Sequence, residues 1–296
     1  MSTQLESWNT GATKSSILEF VTKVTTGNDP DYLPPADRIA TFDNDGTLWV
    51  EVPAPPQYDF QIRKWIQEAQ KNPSLASEEP YKAILEQDKA FFEALAIQDP
   101  TVVASVQDAF ARTWVGTTPD VFAAEVSQWI DTVRQPKFEV GYTKLVYKPM
   151  LELFDYLKAH DFRVFVCSGG GLDFMRVFSE TVLGVAKENV IGTEAEYEYK
   201  DGKLMRTGQF LGGIALGPSK PTHIFSRTGR LPAFAAGNMD SDIEMCEVAK
   251  FAILINHDDH NREFEYTKGA EKVLVKAKEL GWTIVSMKND WKTVFA

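Results

Sequence analysis

Apolar residues along this chain recur with two periods, and the change between them divides it. Near the start, Ile17, Leu18, Val21 and Val24 fall on one face at helical spacing, which predicts a short helix over 15–25. A compact apolar run at 38–43 reads as a strand, and Val52-Pro53-Ala54-Pro55-Pro56 suits an extended linker. From about 59 to 135 the spacing is helical and no convincing strand occurs. Ile62, Trp65, Ile66 and Ala69 form one stripe; Ile84, Leu85, Phe91, Phe92 and Leu95 form a looser one. Thr118-Pro119-Asp120 supplies a capping hydroxyl, a proline at the first helical position and an acid in the first turn. Phe122, Val126, Trp129, Ile130 and Val133 give that helix its apolar face.

Beyond about 148, helices and short apolar strands alternate. Met150, Leu151, Phe154 and Leu157 make a helical stripe, Arg163 to Cys167 a strand, and Phe174 to Leu183 a helix. Residues 193–214 predict a hairpin turning at Asp201-Gly202. A helix follows near Pro221, then strands near Ala233 and Phe251 and a last strand over 282–287. This alternation predicts an α/β fold: a Rossmann-like, mainly parallel sheet covered by helices on both faces. The helical stretch is then an insert. The expected division is a core of 1–52 plus 147–296 and a helical cap of 53–146, rooted where it can cover a site at the first strand's end.

Composition narrows the function classes. With 296 residues, 44% of them hydrophobic, the chain can build one large core or a core with a smaller companion. A net charge of −11 and the lack of a Lys/Arg run argue against nucleic acid and anionic membranes as partners. No apolar stretch approaches a transmembrane length of about 18 residues. The mostly polar opening, Met1 to Ser7, is not a signal peptide, so cytoplasmic is the default placement; a mature secreted chain with an added Met1 would read the same. Cys167 and Cys246 are too few for a disulfide framework and lack zinc spacing; Cys167, in an apolar run, reads as a buried free thiol. Nothing in the sequence fixes the oligomeric state.

Four short motifs carry the chemistry. The first, Phe42-Asp43-Asn44-Asp45-Gly46-Thr47, places two carboxylates two residues apart at a strand's end. Gly46 permits a tight turn and Thr47 offers a hydroxyl and an N–H. Such a grouping suits a divalent cation and a phosphate together, although an Asx-type turn also favours these residues. The second, Ser168-Gly169-Gly170-Gly171, follows an apolar strand and precedes a helix, a place where backbone N–H groups collect an anion. The spacing excludes a Cys-x5-Arg phosphatase, since Asp173 stands six residues after Cys167. It also excludes a Gly-x-Gly-x-x-Gly fingerprint, since position 174 is Phe; no Gly-x-Ser-x-Gly elbow occurs. The third motif puts Lys220 at a helix start, where it can neutralise phosphate and steady a carboxylate. The fourth, Gly237-Asn238-Met239-Asp240-Ser241-Asp242, closes a strand with two oxygen ligands, Asn238 and Asp242, four apart. All four follow strand-like runs or open helices, where open α/β sheets bind ligands.

In this order the motifs resemble those of the haloacid dehalogenase superfamily of phosphohydrolases. The resemblance spans about 38–256. The helical insert resembles the C1 cap type, and the Ser-Gly-Gly turn with the following hairpin is similar to the phosphoserine-phosphatase-like branch. It implies a Mg²⁺-dependent phosphatase acting on a small phosphomonoester, with Asp43 as nucleophile and Asp45 as general acid and base. It implies phosphate contacts from Thr47, Ser168, Gly169 and Lys220, and Mg²⁺ held by Asp43, the Asp45 carbonyl, Asn238 and Asp242. Glu51 sits within one residue of a substrate-contacting acid in related phosphatases; Gln57, Tyr58 and Arg63 follow as further candidates for substrate selection. The chain departs from the family at Asn238, where an aspartate is usual, so the site carries one negative charge fewer. Asp45 argues against the dehalogenase branch. Two alternatives stay open: a phosphotransferase or phosphomutase on the same fold, and a catalytically silent phosphoryl-binding protein.

Overall fold

The computed structural model describes residues 5–96 and 99–296. The first four residues of the polar opening lie outside the described residues. In chain order the elements are α1 (Ala12–Thr25), β1 (Ile39–Phe42), α2 (Pro56–Lys71), α3 (Tyr81–Glu86), α4 (Lys89–Ala96), α5 (Pro100–Thr113), α6 (Pro119–Thr132) and α7 (Lys148–Lys158). They continue with β2 (Arg163–Gly171), α8 (Leu172–Arg176), α9 (Ser179–Val182), β3 (Val190–Lys200), β4 (Lys203–Leu211), α10 (Ser219–Thr228) and β5 (Phe234–Gly237). The chain closes with α11 (Ile243–Glu247), β6 (Phe251–Asn256), α12 (Glu271–Leu280), β7 (Thr283–Ser286) and α13 (Met287–Asp290).

The seven strands form one sheet in the order β4-β3-β2-β1-β5-β6-β7. Every pair from β3 through β7 is parallel, as the helix–strand alternation predicts. β1 lies centrally, with Phe42 level with Val166 on β2 and with Ala236 on β5. All four residues of β1 and of β5 are buried, which continuous apolar strands covered on both faces require. The chain leaves β1 toward β2 on one side and meets β5 on the other, which makes the carboxyl ends of these strands the switch point where open α/β sheets bind ligands. Beneath it, Ile39, Phe165, Cys167, Ile224, Ala235, Met245 and Cys246 pack as one buried cluster. Both cysteines are free and buried.

Two local expectations change. The predicted helix over 174–183 is two short ones, α8 and α9, broken where Phe178 adopts φ −119°. Phe178 stacks on Trp49, with ring centroids 4.5 Å apart. The glycine run is no simple turn: β2 continues through Gly171 with a register shift after Cys167. Pairing of Gly171 with Thr193 and a 2.7 Å bond from the Thr193 hydroxyl to the Gly169 carbonyl hold it in the sheet.

Contacts divide the chain into two compact units: Met1–Pro53, Ile130–Glu194 and Gly212–Ala296 in one, Ala54–Trp129 with Ala195–Leu211 in the other. The second unit has its own core of Trp65, Ala69, Tyr81, Ala83, Ile84, Phe91, Val106 and Ala109. Leu85 is the stripe residue that stays exposed, because the six-residue α3 buries Tyr81, Ala83 and Ile84 instead. The Thr118 hydroxyl accepts the Val121 N–H at 3.3 Å, capping α6. The far half of β3 and β4 form the predicted hairpin, turning at Asp201 and Gly202 with both at positive φ. Arg206 of β4 lies 3.9 Å over the Phe122 ring.

Candidate active site

β1 ends at Phe42, and the Asp43 N–H bonds the Ala236 carbonyl at 2.9 Å, which carries the strand pairing one residue further. Asp43 is thereby placed at that switch point, beside the end of β5. The chain then turns sharply at Gly46, whose φ is +71°. A Cβ there would collide with Asn238 Nδ2 and the Glu51 carboxylate, so glycine is required for conformation and for space.

Lys220 enters this site from the first turn of α10 and is fully buried. Its ammonium lies 2.6 Å from Asp43 Oδ1 and 2.5 Å from Asp242 Oδ1. Burial works against its charge, but Asp242 and Asp43 hold its pKa above the ordinary value. The other Asp242 oxygen accepts the N–H groups of Asn238 at 2.9 Å and Met239 at 3.0 Å, which closes the loop after β5. A Cβ on Gly237 would strike the Asp242 side chain, so this loop too is packed around its acid. One ammonium between two carboxylates leaves excess negative charge. Burial first, and Asp242 second, push the Asp43 carboxyl well above the usual range; Lys220 offsets only part of this.

Asp45 accepts the Trp49 indole N–H at 2.7 Å. Burial pushes its carboxyl up to about 7 against that hydrogen bond. A carboxyl poised near neutrality both gives and takes a proton, the property a general acid and base needs.

The side chains of the first and fourth motifs meet directly. Thr47 Oγ1 donates to Asn238 Oδ1 at 3.0 Å, and Asn238 Nδ2 donates to Glu51 Oε1 at 2.7 Å. Glu51 also accepts the Tyr266 hydroxyl. Burial raises the Glu51 pKa, opposed by His257 and by these two donors. Tyr266 stacks on His257 at 4.3 Å. His257 Nε2 donates to the Gly46 carbonyl at 2.8 Å, and Nδ1 lies 3.1 Å from Glu263 Oε2. Tyr147 completes the chain with a 3.0 Å bond to Glu263 Oε1.

Of the residues singled out by sequence, the structure joins Asp43, Lys220 and Asp242 in one ion cluster and Thr47, Asn238 and Glu51 in one hydrogen-bond chain. Ser168 is buried at the end of β2, its hydroxyl accepting the Gly170 N–H at 3.1 Å. A Cβ on Gly169 would overlap Leu216, so glycine lets the loop before α10 close down there. Gln57, Tyr58 and Arg63 lie on α2 in the other unit, where Arg63 pairs with Asp59 at 2.8 Å. Sequence reading passed over Trp49, Tyr147, His257, Glu263 and Tyr266. One signal was present: Asn256-His257-Asp258-Asp259-His260 is a polar cluster directly after an apolar strand, the same position the other motifs occupy.

The donor set suits a hard divalent cation. Asp43, Asp242, the Asn238 amide and the Asp45 carbonyl offer only oxygen, the ligand type Mg²⁺ selects. Among the described residues no three His, Cys, Asp or Glu side chains already converge as a metal cluster, because Lys220 stands between the two aspartates. The surplus negative charge around that lysine is what a cation would balance. No helix among the described residues is long and apolar enough to cross a membrane.

Comparison with known proteins agrees with this architecture. No curated protein sequence matches the chain. Among solved structures, a functionally unknown protein from Anaerococcus prevotii DSM 20548 aligns at 14% identity, with 99% of this chain and 98% of that one covered and a TM-score of 0.61. A protein of unknown function from Bordetella pertussis Tohama I aligns at 14% identity, covering 84% and 98%, with a TM-score of 0.54. A phosphoserine phosphatase from T. onnurineus aligns more loosely, at 17% identity, 78% and 88% coverage and a TM-score of 0.39. The family model for haloacid dehalogenase-like hydrolases matches residues 40–247, from β1 through the loop that carries Asn238 and Asp242, and the chain belongs to that family.

Proposed function

We propose that this protein is a Mg²⁺-dependent phosphatase that hydrolyses a small phosphomonoester through an aspartyl-phosphate on Asp43. The observation that carries this reading is the buried Lys220 ammonium bridging Asp43 and Asp242, beside an Asp45 carboxyl poised near 7. Lys220 orients Asp43 so that one carboxylate oxygen attacks phosphorus while the bond to the leaving oxygen breaks. Asp45 gives its proton to that oxygen. It then takes a proton from water as water attacks the aspartyl-phosphate, which frees phosphate and regenerates Asp43. The Ser168 hydroxyl, the Gly169 N–H and Lys220 would supply positive ends of dipoles and charge toward the transferring phosphoryl oxygens, and the Thr47 hydroxyl would join them on releasing Asn238. Asp43, the Asp45 carbonyl, Asn238 and Asp242 would hold Mg²⁺, whose charge lets an anionic substrate approach an anionic nucleophile.

Choice of leaving group would fall, in this reading, to Glu51, Gln57, Tyr58 and Arg63. The test is phosphate release across a panel of phosphorylated metabolites with Mg²⁺. Release by the wild type that is abolished by EDTA and by Asp43→Asn supports the assignment. Release that survives both treatments overturns it. An added alcohol acceptor separates hydrolysis from transfer.

A further inference from the structure

The family places an aspartate where this chain has Asn238, so a carboxylate has gone from the metal side of the site. Another is packed against the same spot. Glu51 Oε1 lies 2.7 Å from Asn238 Nδ2, and both are buried. The two are 187 residues apart in sequence. Gly46 lets them meet, since a side chain there would occupy the space they share. An aspartate at 238 would set two carboxylates oxygen to oxygen in a buried site. Of an amide and an ionised carboxylate, the amide alone can donate across that gap. Glu51 therefore explains the asparagine, and the asparagine explains why Glu51 is tolerated.

The amide is also oriented. Its NH₂ packs at Gly46 and bonds Glu51, and its carbonyl accepts the Thr47 hydroxyl. A carboxylate bonded to the NH₂ of an amide draws electron density toward the carbonyl oxygen. Carboxylates behind metal-ligating histidines raise ligand basicity by the same logic. Tyr266, stacked on His257, donates to the same Glu51 oxygen and fixes the carboxylate in place.

Resting on the phosphatase reading above, we infer that Glu51 is a positioning residue that supplies, through the Asn238 amide, the negative charge this site lacks at position 238. Asn238 and Glu51 together then do for the cation what one aspartate does elsewhere in the family.

The test is Mn²⁺ binding to metal-free protein, followed by the free-ion electron paramagnetic resonance signal with no substrate present. Glu51→Gln keeps shape and still accepts from Asn238 and Tyr266, so a merely structural role leaves the affinity unchanged. The expected result is a loss of about 10–100-fold in Mn²⁺ affinity, the range typical of groups behind metal ligands. Combining Glu51→Gln with Asn238→Asp moves the charge by one residue and reverses the hydrogen bond; affinity should return toward wild type. Unchanged Mn²⁺ affinity in folded Glu51→Gln overturns the inference. So does a double variant that folds but stays as weak as the single one. If Glu51→Gln alone does not fold, the double variant decides. A wild type that binds no Mn²⁺ and releases no phosphate refutes the phosphatase reading itself, and this inference with it. A wild type that does both while Glu51→Gln binds normally refutes the inference alone.

Discussion

The two sides of the Gly46 turn handle buried acid in opposite ways. On one side, Asp43 and Asp242 face a single ammonium, and charge answers charge. On the other, Glu51 faces an amide and a phenol, both neutral, with His257 beyond them. The ionic side is underneutralised, and the Asp43 carboxyl lies well above its ordinary range, through burial first and Asp242 second. In the proposed phosphatase that side would take the cation and the substrate anion. The neutral side gives Glu51 two uncharged donors, both to Oε1, which hold the carboxylate in place. Two ways of keeping a buried acid thus meet across one glycine.

The contrast can be broken at several points. The largest effect belongs to Asp43→Asn, which removes the proposed nucleophile but keeps the Lys220 contact. Phosphate release should fall by roughly 10⁴-fold or more, as for other nucleophile deletions, with the fold retained. Steady-state release and circular dichroism on the same sample check this. Next comes Lys220→Met, which leaves Asp43 and Asp242 without a cation. Breaking one partner of a buried ionic group costs about 3–5 kcal/mol, measured as a drop in urea midpoint, and Mg²⁺ should recover part of the loss.

A smaller effect follows from Asp45. Its folded-state pKa of about 7 lies above the ordinary carboxylate value, so folding favours the protonated form. That stabilisation is complete below about pH 4 and is lost as pH rises through 7. Metal-free protein should therefore lose on the order of 2–4 kcal/mol between those limits from this group, and Asp45→Asn should flatten the curve. Denaturant titrations at several pH values in EDTA decide it. The smallest effect tests the neutral side. Tyr266→Phe removes one donor to a buried carboxylate and should cost about 1.5–3 kcal/mol in metal-free protein. Urea midpoints of wild type and variant in EDTA check this.

Much of this was legible before any coordinates. The parallel sheet and the four motifs could be read because each depends on short-range choices: an apolar strand, then a turn residue, then an acid, hydroxyl or lysine. The burial of Lys220 could not, since a lysine before a helix looks the same whether solvated or enclosed. Glu51 drew notice by its distance from the first motif, yet its partners Asn238 and Tyr266 lie 187 and 215 residues away. His257 and Glu263 escaped for a similar reason. Six residues apart in a polar loop, they read as solvent-facing until the fold brings the Gly46 carbonyl onto the ring. The break at Phe178 was hidden in part because the ring it stacks on, Trp49, is distant in sequence.

The two buried thiols under the site offer an instrument as well as a core. Burial pushes Cys167 up to about 12 and Cys246 well above its ordinary value, and both pack beside Ile224 of α10. Neither reacts with an aqueous thiol reagent until that part of the core opens, so alkylation rate in native buffer reads the opening equilibrium beneath the site. A cation that binds only the closed form slows labelling by the factor one plus concentration over Kd. If the proposed cation binds, these thiols would report its occupancy with neither a substrate nor an engineered label.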